Sequence, residues 1–301
     1  MRGVFFIVGP TATGKSEIAA DVAREIGAEI VSADAFQIYC GLDLLTAKPD
    51  AATLAKAPHR LVGTMPILEE MNAEKFRKLA LQAIAKIHSR KKPTIVVGGS
   101  GLYVKALTHG LSSAPCADPD LRAQLNELSL DDLQKKLSGL DPALAKKIDI
   151  KNRRRLVRAI EICLLGGKEV LSRREWSRNV AIHGLFVFRD RDELYNRINR
   201  RVEEMFDAGV IEEVRAAGAM SETALKMIGL GEIRELLAAK MSISQCVAAI
   251  QQATRRYAKR QLTWFRRQTN FQALNLSLLT TNEAMKWISQ KARLAFAQGN
   301  D

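Results

Sequence analysis

Residues 9–16 read GPTATGKS. This is G-x-x-x-x-G-K-[ST], a loop that wraps an oligophosphate and works only between a strand and a helix. Both flanks are present. Val4–Val8, VFFIV, is a β-branched and aromatic run that reads as a buried strand. Behind the loop, Ile18, Val22 and Ile26 recur every four residues up to Gly27, the pattern of an amphipathic helix with a glycine stop. Gly9 and Gly14 let the backbone turn its N–H groups around an anion. Pro10, Thr11, Ala12 and Thr13 complete the arc. The helix N-terminus adds partial positive charge. Lys15 adds a full one, and the Ser16 hydroxyl is suited to a magnesium ion carried by the phosphates. The chain therefore binds an oligophosphate, and the loop by itself leaves open whether a nucleoside is attached.

The strand–helix rhythm continues beyond Gly27. Ala28–Asp34, AEIVSAD, reads as a second strand and Pro93–Tyr103, PTIVVGGSGLY, carries a third, with the helical stretch EKFRKLALQAIAKIHSR between them. Alternating strands and helices imply an α/β fold, a parallel P-loop sheet flanked by helices on both faces. Near residue 112 the pattern changes. SSAPCADPD is a loop, and from Leu121 to about Trp176 only helical periods occur. A strand pattern returns at His183–Phe188, HGLFVF, followed by the helical stretches RINRRVEEMF and SISQCVAAIQQATRRYAKRQLTWFRR, a short strand FQALNL and a closing helix. The expected organisation is a P-loop core of residues 1–111 and 182–301 interrupted by an all-helical insertion, 112–181.

With 301 residues, 47% of them hydrophobic, the chain can bury a real core. No apolar run approaches the length of a membrane span. The first strand begins almost at the first residue, which leaves no space for a signal segment. Cys40, Cys116, Cys163 and Cys246 are far apart and form no C-x-x-C pair, so reduced thiols and no zinc site are expected. These features point to a cytoplasmic protein. The 46 basic residues against 33 acidic give a net charge of +13, which favours a polyanionic partner.

A simple nucleoside triphosphatase does not fit. Such enzymes hold magnesium with an aspartate that ends a buried strand, whereas TIVV runs into Gly98-Gly99-Ser100. A carboxylate stands instead after the second strand, at Asp34. Strand C-termini line the ligand crevice of an open α/β sheet, so Asp34 is expected beside the loop. There it suits any transfer in which an acceptor loses a proton; a mere turn or helix cap is the alternative. Two stretches carry basic charge of a single sign. Between Lys146 and Arg158 lie seven Lys/Arg and one acid, with Arg154 and Arg158 on one helix face and Leu156, Val157 and Ile160 on the other. Between Arg255 and Arg267 lie six Lys/Arg and no acid, with Arg256, Arg260, Thr263 and Arg267 in one stripe. Both stripes suit a phosphate backbone. In RINRRVEEM, Arg197 and Arg201 lie one turn apart. Either they reach inward as an anion clamp or they pair at the surface with Glu203 or Glu204.

GPTATGKS, DAFQIY, TAKP, PHRL, VGGSGLY, RRLVRAIE, RINRRVEEM, IGLGE and KRQLTWFR occur in an order and spacing that resemble the bacterial tRNA dimethylallyltransferase (tRNA isopentenyltransferase) family over nearly the whole chain. The resemblance implies transfer of a dimethylallyl group from dimethylallyl diphosphate to the exocyclic amine of an adenosine beside the tRNA anticodon, with magnesium and a monomeric enzyme. The loop would then hold the diphosphate of an allylic donor and not ATP. It implies Asp34 as the catalytic base, Lys15 and Arg201 as further catalytic groups on the departing diphosphate, and loop residues Gly9–Ser16 as the diphosphate site. It also implies tRNA contacts at Asp34, Ala35, Phe36, Gln37, Ser100, Arg122, Arg154, Arg155, Arg158, Lys259, Arg260, Gln261 and Arg266. Three positions depart from the family pattern: Ala35 where serine is usual, Leu45 where glycine is usual, and Leu230-Gly231 after Ile228-Gly229. The competing readings are a P-loop small-molecule kinase, an adenylate isopentenyltransferase acting on a free nucleotide, and a non-enzymatic nucleic-acid-binding P-loop protein.

Overall fold

The computed structural model describes residues 3–111, 115, 118–166 and 182–297. Cys116, most of the SSAPC loop and the expected helical stretch around Trp176 lie outside the described residues. Six strands form one sheet: β1 Val4–Val8, β2 Glu29–Ser32, β3 His59–Arg60, β4 Thr94–Gly98, β5 His183–Phe188 and β6 Gln272–Asn275. Their order across the sheet is β3-β2-β4-β1-β5-β6. Every neighbouring pair is parallel, with Phe6 opposite Val96 on one side and Gly184 on the other. β3, only two residues long, has no counterpart in the sequence expectation, because two residues carry no periodicity.

Side chains of a strand alternate between faces, and β1 feeds two cores in this way. Phe5 and Ile7 pack with Ile18, Ala19 and Val22 of helix α1 (Lys15–Ile26) and with Ile288 and Ala292 from the closing helix Thr281–Ala297. Val4, Phe6 and Val8 join the opposite core with Phe76 and Ile84 from Ala73–His88, Tyr103 and Leu107 from Gly101–His109, and Phe265. Phe6 is fully buried, and such a side chain contributes about 1.5–3 kcal/mol by leaving water.

The chain divides into two compact units, Met1–Thr108 with Val180–Asp301, and His109–Asn179. The second unit, within its described residues, is helical: Pro119–Glu127, Leu130–Leu140, Pro142–Lys147 and Arg153–Gly166. Asp118, Ser129 and Asp141 cap the first three by accepting from the backbone N–H of Leu121, Asp132 and Leu144. Leu125, Leu133, Leu137, Leu156 and Ile160 form its own core. Among the described residues no helix is long and apolar enough to cross a membrane.

Candidate active site

The parallel order brings four strand C-termini to one edge, where ligands of open α/β sheets bind. β1 delivers the glycine loop, β2 delivers Asp34, β4 delivers Gly99-Ser100 and β5 delivers Arg189. None of these four is near another in sequence. The sheet alone assembles them.

The loop is fixed from outside by its carbonyls. Arg197 Nε donates to the Ala12 carbonyl (2.8 Å), Arg189 Nε to that of Thr13 (2.9 Å), and both Thr13 Oγ1 and Lys15 Nζ to that of Pro10 (3.0 Å each). Gly14 caps α1 at φ 86°, a left-handed conformation that glycine tolerates, and Ala12 is also left-handed at φ 64°. Among the described residues, no amide from Ala12 to Ser16 donates to a protein acceptor. That leaves a row of N–H donors at a helix N-terminus for an anion. Burial lowers the pKa of the Lys15 ammonium to about 8, although Asp34 pulls it upward. A bound anion would raise it again.

Asp34 caps a turn and also faces a cavity. Its Oδ1 accepts from the N–H of Phe36 (2.9 Å) and Gln37 (3.2 Å), so the carboxylate does cap a turn. Its other oxygen has no hydrogen-bond partner among the described residues, and it lines the cavities on either side of the loop. Arg201 faces inward. It is Arg200 that pairs with Glu204 at the surface, while Arg201 Nε is buried with no hydrogen-bond partner. Burial lowers the Arg201 pKa against the raising effect of Asp34.

Asp34, Thr11 and Arg201 share a cavity of about 60 Å³ with Thr254, Tyr257 and an apolar group: Leu45, Val202, Met205, Met227, Ile228 and Ile250. Two residues here, Tyr257 and Arg189, have no place among the sites expected from sequence. Burial, then Asp34, raises the Tyr257 phenol above its usual range. Nearby, Ser100 Oγ accepts from the N–H of Ala35, the residue after Asp34 (2.9 Å). Neither Tyr257 nor Arg189 sits in a chemical motif; only the fold relates them to the loop.

Several residues expected to contact tRNA also have partners within the protein. Gln261 is 5% exposed. Its Oε1 accepts from Thr11 N–H and its Nε2 donates to the Gly99 carbonyl, both at 2.9 Å, so its amide pins the loop to β4. The same helix, Ile243–Gln268, explains the GGSGLY motif. A Cβ at Gly99 would stand 2.3 Å from Gln261 Nε2, and one at Gly101 2.4 Å from the Trp264 ring. Arg122 and Arg158 both bind the fully buried Glu161, at 3.0 and 2.5 Å, within the helical unit. Asp118 N–H also donates to Glu161, and these partners lower its pKa against the opposing effect of burial. Both arginines are thus paired within the helical unit while their side chains stay partly exposed. Gln37 Nε2 donates to the Ala47 carbonyl (2.7 Å). Arg154, Arg155, Lys259, Arg260 and Arg266 are exposed, and Phe36 is half-buried beside Asp34.

The IPP transferase family pattern matches residues 37–268. The tRNA dimethylallyltransferase 1 of Citrifermentans bemidjiense is 44% identical over 270 residues, 87% of this chain and 88% of that protein. The tRNA dimethylallyltransferase of Akkermansia muciniphila is 42% identical over 264 residues, 87% and 90% of the two. The crystal structure of full-length tRNA isopentenylpyrophosphate transferase from Bacillus halodurans superposes with a TM-score of 0.72 at 32% identity, covering 99% of this chain and 97% of that one. A match over most of the chain, at these identities and with the same fold, means that the chain belongs to the IPP transferase family.

Proposed function

We propose that this protein transfers a dimethylallyl group from dimethylallyl diphosphate to the N6 amine of an adenosine adjacent to the tRNA anticodon, releasing diphosphate. One observation carries the reading. The cavity beside the loop is polar at Thr11, Asp34 and Arg201 and apolar at Leu45, Met205, Met227, Ile228 and Ile250. An allylic diphosphate has that same division of character; ATP does not.

The loop amides, Lys15 and Arg201 bind the diphosphate and stabilise the charge that builds on it as it leaves. The carbon–oxygen bond breaks with its electrons going to the diphosphate oxygen. The lone pair of N6 forms the new nitrogen–carbon bond, and an N6 proton passes to the free oxygen of Asp34. That amine is a poor nucleophile, so a base in position matters. The two backbone donors on Oδ1 hold Asp34 in place. Ser100 and Phe36, next to Asp34, are suited to the flipped adenine, which must leave the anticodon stack to reach a site this deep. Magnesium fits this donor set. Ser16, which lines a cavity with Lys15 and Asp34, would be the protein's ligand to a magnesium ion brought in with the diphosphate. When bound, such an ion neutralises diphosphate charge. The core unit is the catalyst and the helical unit grips tRNA. On this reading the chain works as a cytosolic monomer.

A tRNA acceptor, as opposed to a free nucleotide, is tested through the exposed basic stripes. Changing Arg154, Arg155, Arg256 and Arg267 to Gln spares Arg158, which holds Glu161. The log–log salt slope of tRNA binding should flatten by roughly three units, at about 0.7 to 0.9 per lost phosphate contact. Binding of dimethylallyl diphosphate should stay as it was. An unchanged slope in a folded variant would favour the free-nucleotide acceptor.

A further inference from the structure

We infer that Gln261 is a positioning residue for the diphosphate: it sets the place of Lys15 through the single peptide between Pro10 and Thr11. The inference rests on reading the glycine loop as a diphosphate site. Gly9 N–H still donates directly to the Gly98 carbonyl of β4, at 3.2 Å. Two residues on, the tie to β4 runs through a side chain. Gln261 Oε1 accepts from Thr11 N–H and its Nε2 donates to the Gly99 carbonyl, each at 2.9 Å. An amide carries one acceptor and one donor group side by side. A carboxylate could not donate to Gly99, and an ammonium could not accept from Thr11.

The N–H that Gln261 holds belongs to the Pro10–Thr11 peptide. This peptide is trans and planar, so its N–H and its carbonyl point in opposite directions. Fixing the N–H on Gln261 aims the Pro10 carbonyl the other way. That carbonyl accepts from both Lys15 Nζ and Thr13 Oγ1, at 3.0 Å each. One rigid plane therefore connects Gln261 to Lys15. The carbonyls of Ala12 and Thr13 are held separately, by Arg197 and Arg189, so Pro10–Thr11 is the part of the loop that depends on Gln261.

Gln261 is itself well placed to hold the plane still. It is 5% exposed. Ile250, Thr254 and Tyr257 precede it at helical spacing on Ile243–Gln268 and line the cavity that Thr11 also lines. Without the amide, Thr11 N–H and the buried Gly99 carbonyl would lose their partner where water has little access, which favours a turn of the peptide to find another. The Pro10 carbonyl would then move away from Lys15.

The test separates this role from a tRNA contact. Gln261→Met keeps the length of the side chain and removes both hydrogen bonds; Gln261→Asn keeps the amide but is one methylene too short to reach both partners. Affinity for inorganic diphosphate and for dimethylallyl diphosphate should fall by about 10-fold or more in Gln261→Met, the size of effect expected when a buried hydrogen-bonded pair is broken. Gln261→Asn should change both in the same direction. kcat/KM for the donor should fall at least as far as its affinity. tRNA affinity, measured without donor, and its salt slope should stay at the wild-type values. A folded variant with weakened tRNA binding and unchanged diphosphate binding would make Gln261 an RNA contact and overturn the inference. A lower melting temperature with unchanged diphosphate affinity would make it a structural brace and overturn it equally. Wild-type protein that binds inorganic diphosphate but not dimethylallyl diphosphate would overturn the donor assignment and leave the role of Gln261 at the loop standing. Wild-type protein that binds neither would overturn both.

Discussion

Asp34→Asn is expected to lower turnover by at least ~100-fold, the usual scale of general-base assistance, while binding of tRNA and of dimethylallyl diphosphate stays within a few-fold of wild type. Asparagine keeps an oxygen to accept from Phe36 and Gln37 N–H, so the turn and the fold survive. What is lost is the oxygen free to take a proton. The loss should therefore fall on kcat and not on KM. Single-turnover kinetics with preloaded donor separate this from slow product release. Turnover near wild type in Asp34→Asn would reduce Asp34 to a turn cap.

Arg201→Gln separates function from stability in the opposite direction. Burial of Arg201 Nε without a partner is unfavourable in the ligand-free protein, because a desolvated N–H donor is left without an acceptor. Removing it should leave the ligand-free melting temperature unchanged or raised. The same change should remove most of the thermal protection given by dimethylallyl diphosphate, and lower kcat/KM by about 10²- to 10³-fold, the scale seen when one donor to a developing charge is deleted. A ligand-free protein that melts lower but retains full donor protection would make Arg201 a structural residue.

What could be read from the sequence was local. The loop, its strand and its helix occupy residues 4–26 and needed no long-range contact, and the amphipathic helices announced themselves by period. Asp34 was also within reach, because a carboxylate at a strand C-terminus of a parallel sheet has a known place. The rest depends on contacts far apart in sequence. Gln261 bonds Thr11 across 250 residues, and a glutamine within a basic helix reads as surface until that partner is seen. Arg189 reaches Thr13 across 176 residues, outside any motif. Glu161 sits among apolar residues, and no local pattern signals that it draws in Arg122 and Arg158. The strand order, with β4 between β2 and β1, is likewise a property of the whole sheet and not of any segment.

The central claim is that the loop holds an allylic diphosphate whose hydrocarbon passes to tRNA. It is tested most directly by incubating the protein with dimethylallyl diphosphate labelled in the hydrocarbon, together with bulk unmodified tRNA, free AMP and ATP–magnesium. The account predicts label on an adenosine next to the anticodon, one diphosphate released per label transferred, and no ATP consumed. Label on AMP with none on tRNA, or ATP turnover with no label transferred, would contradict it.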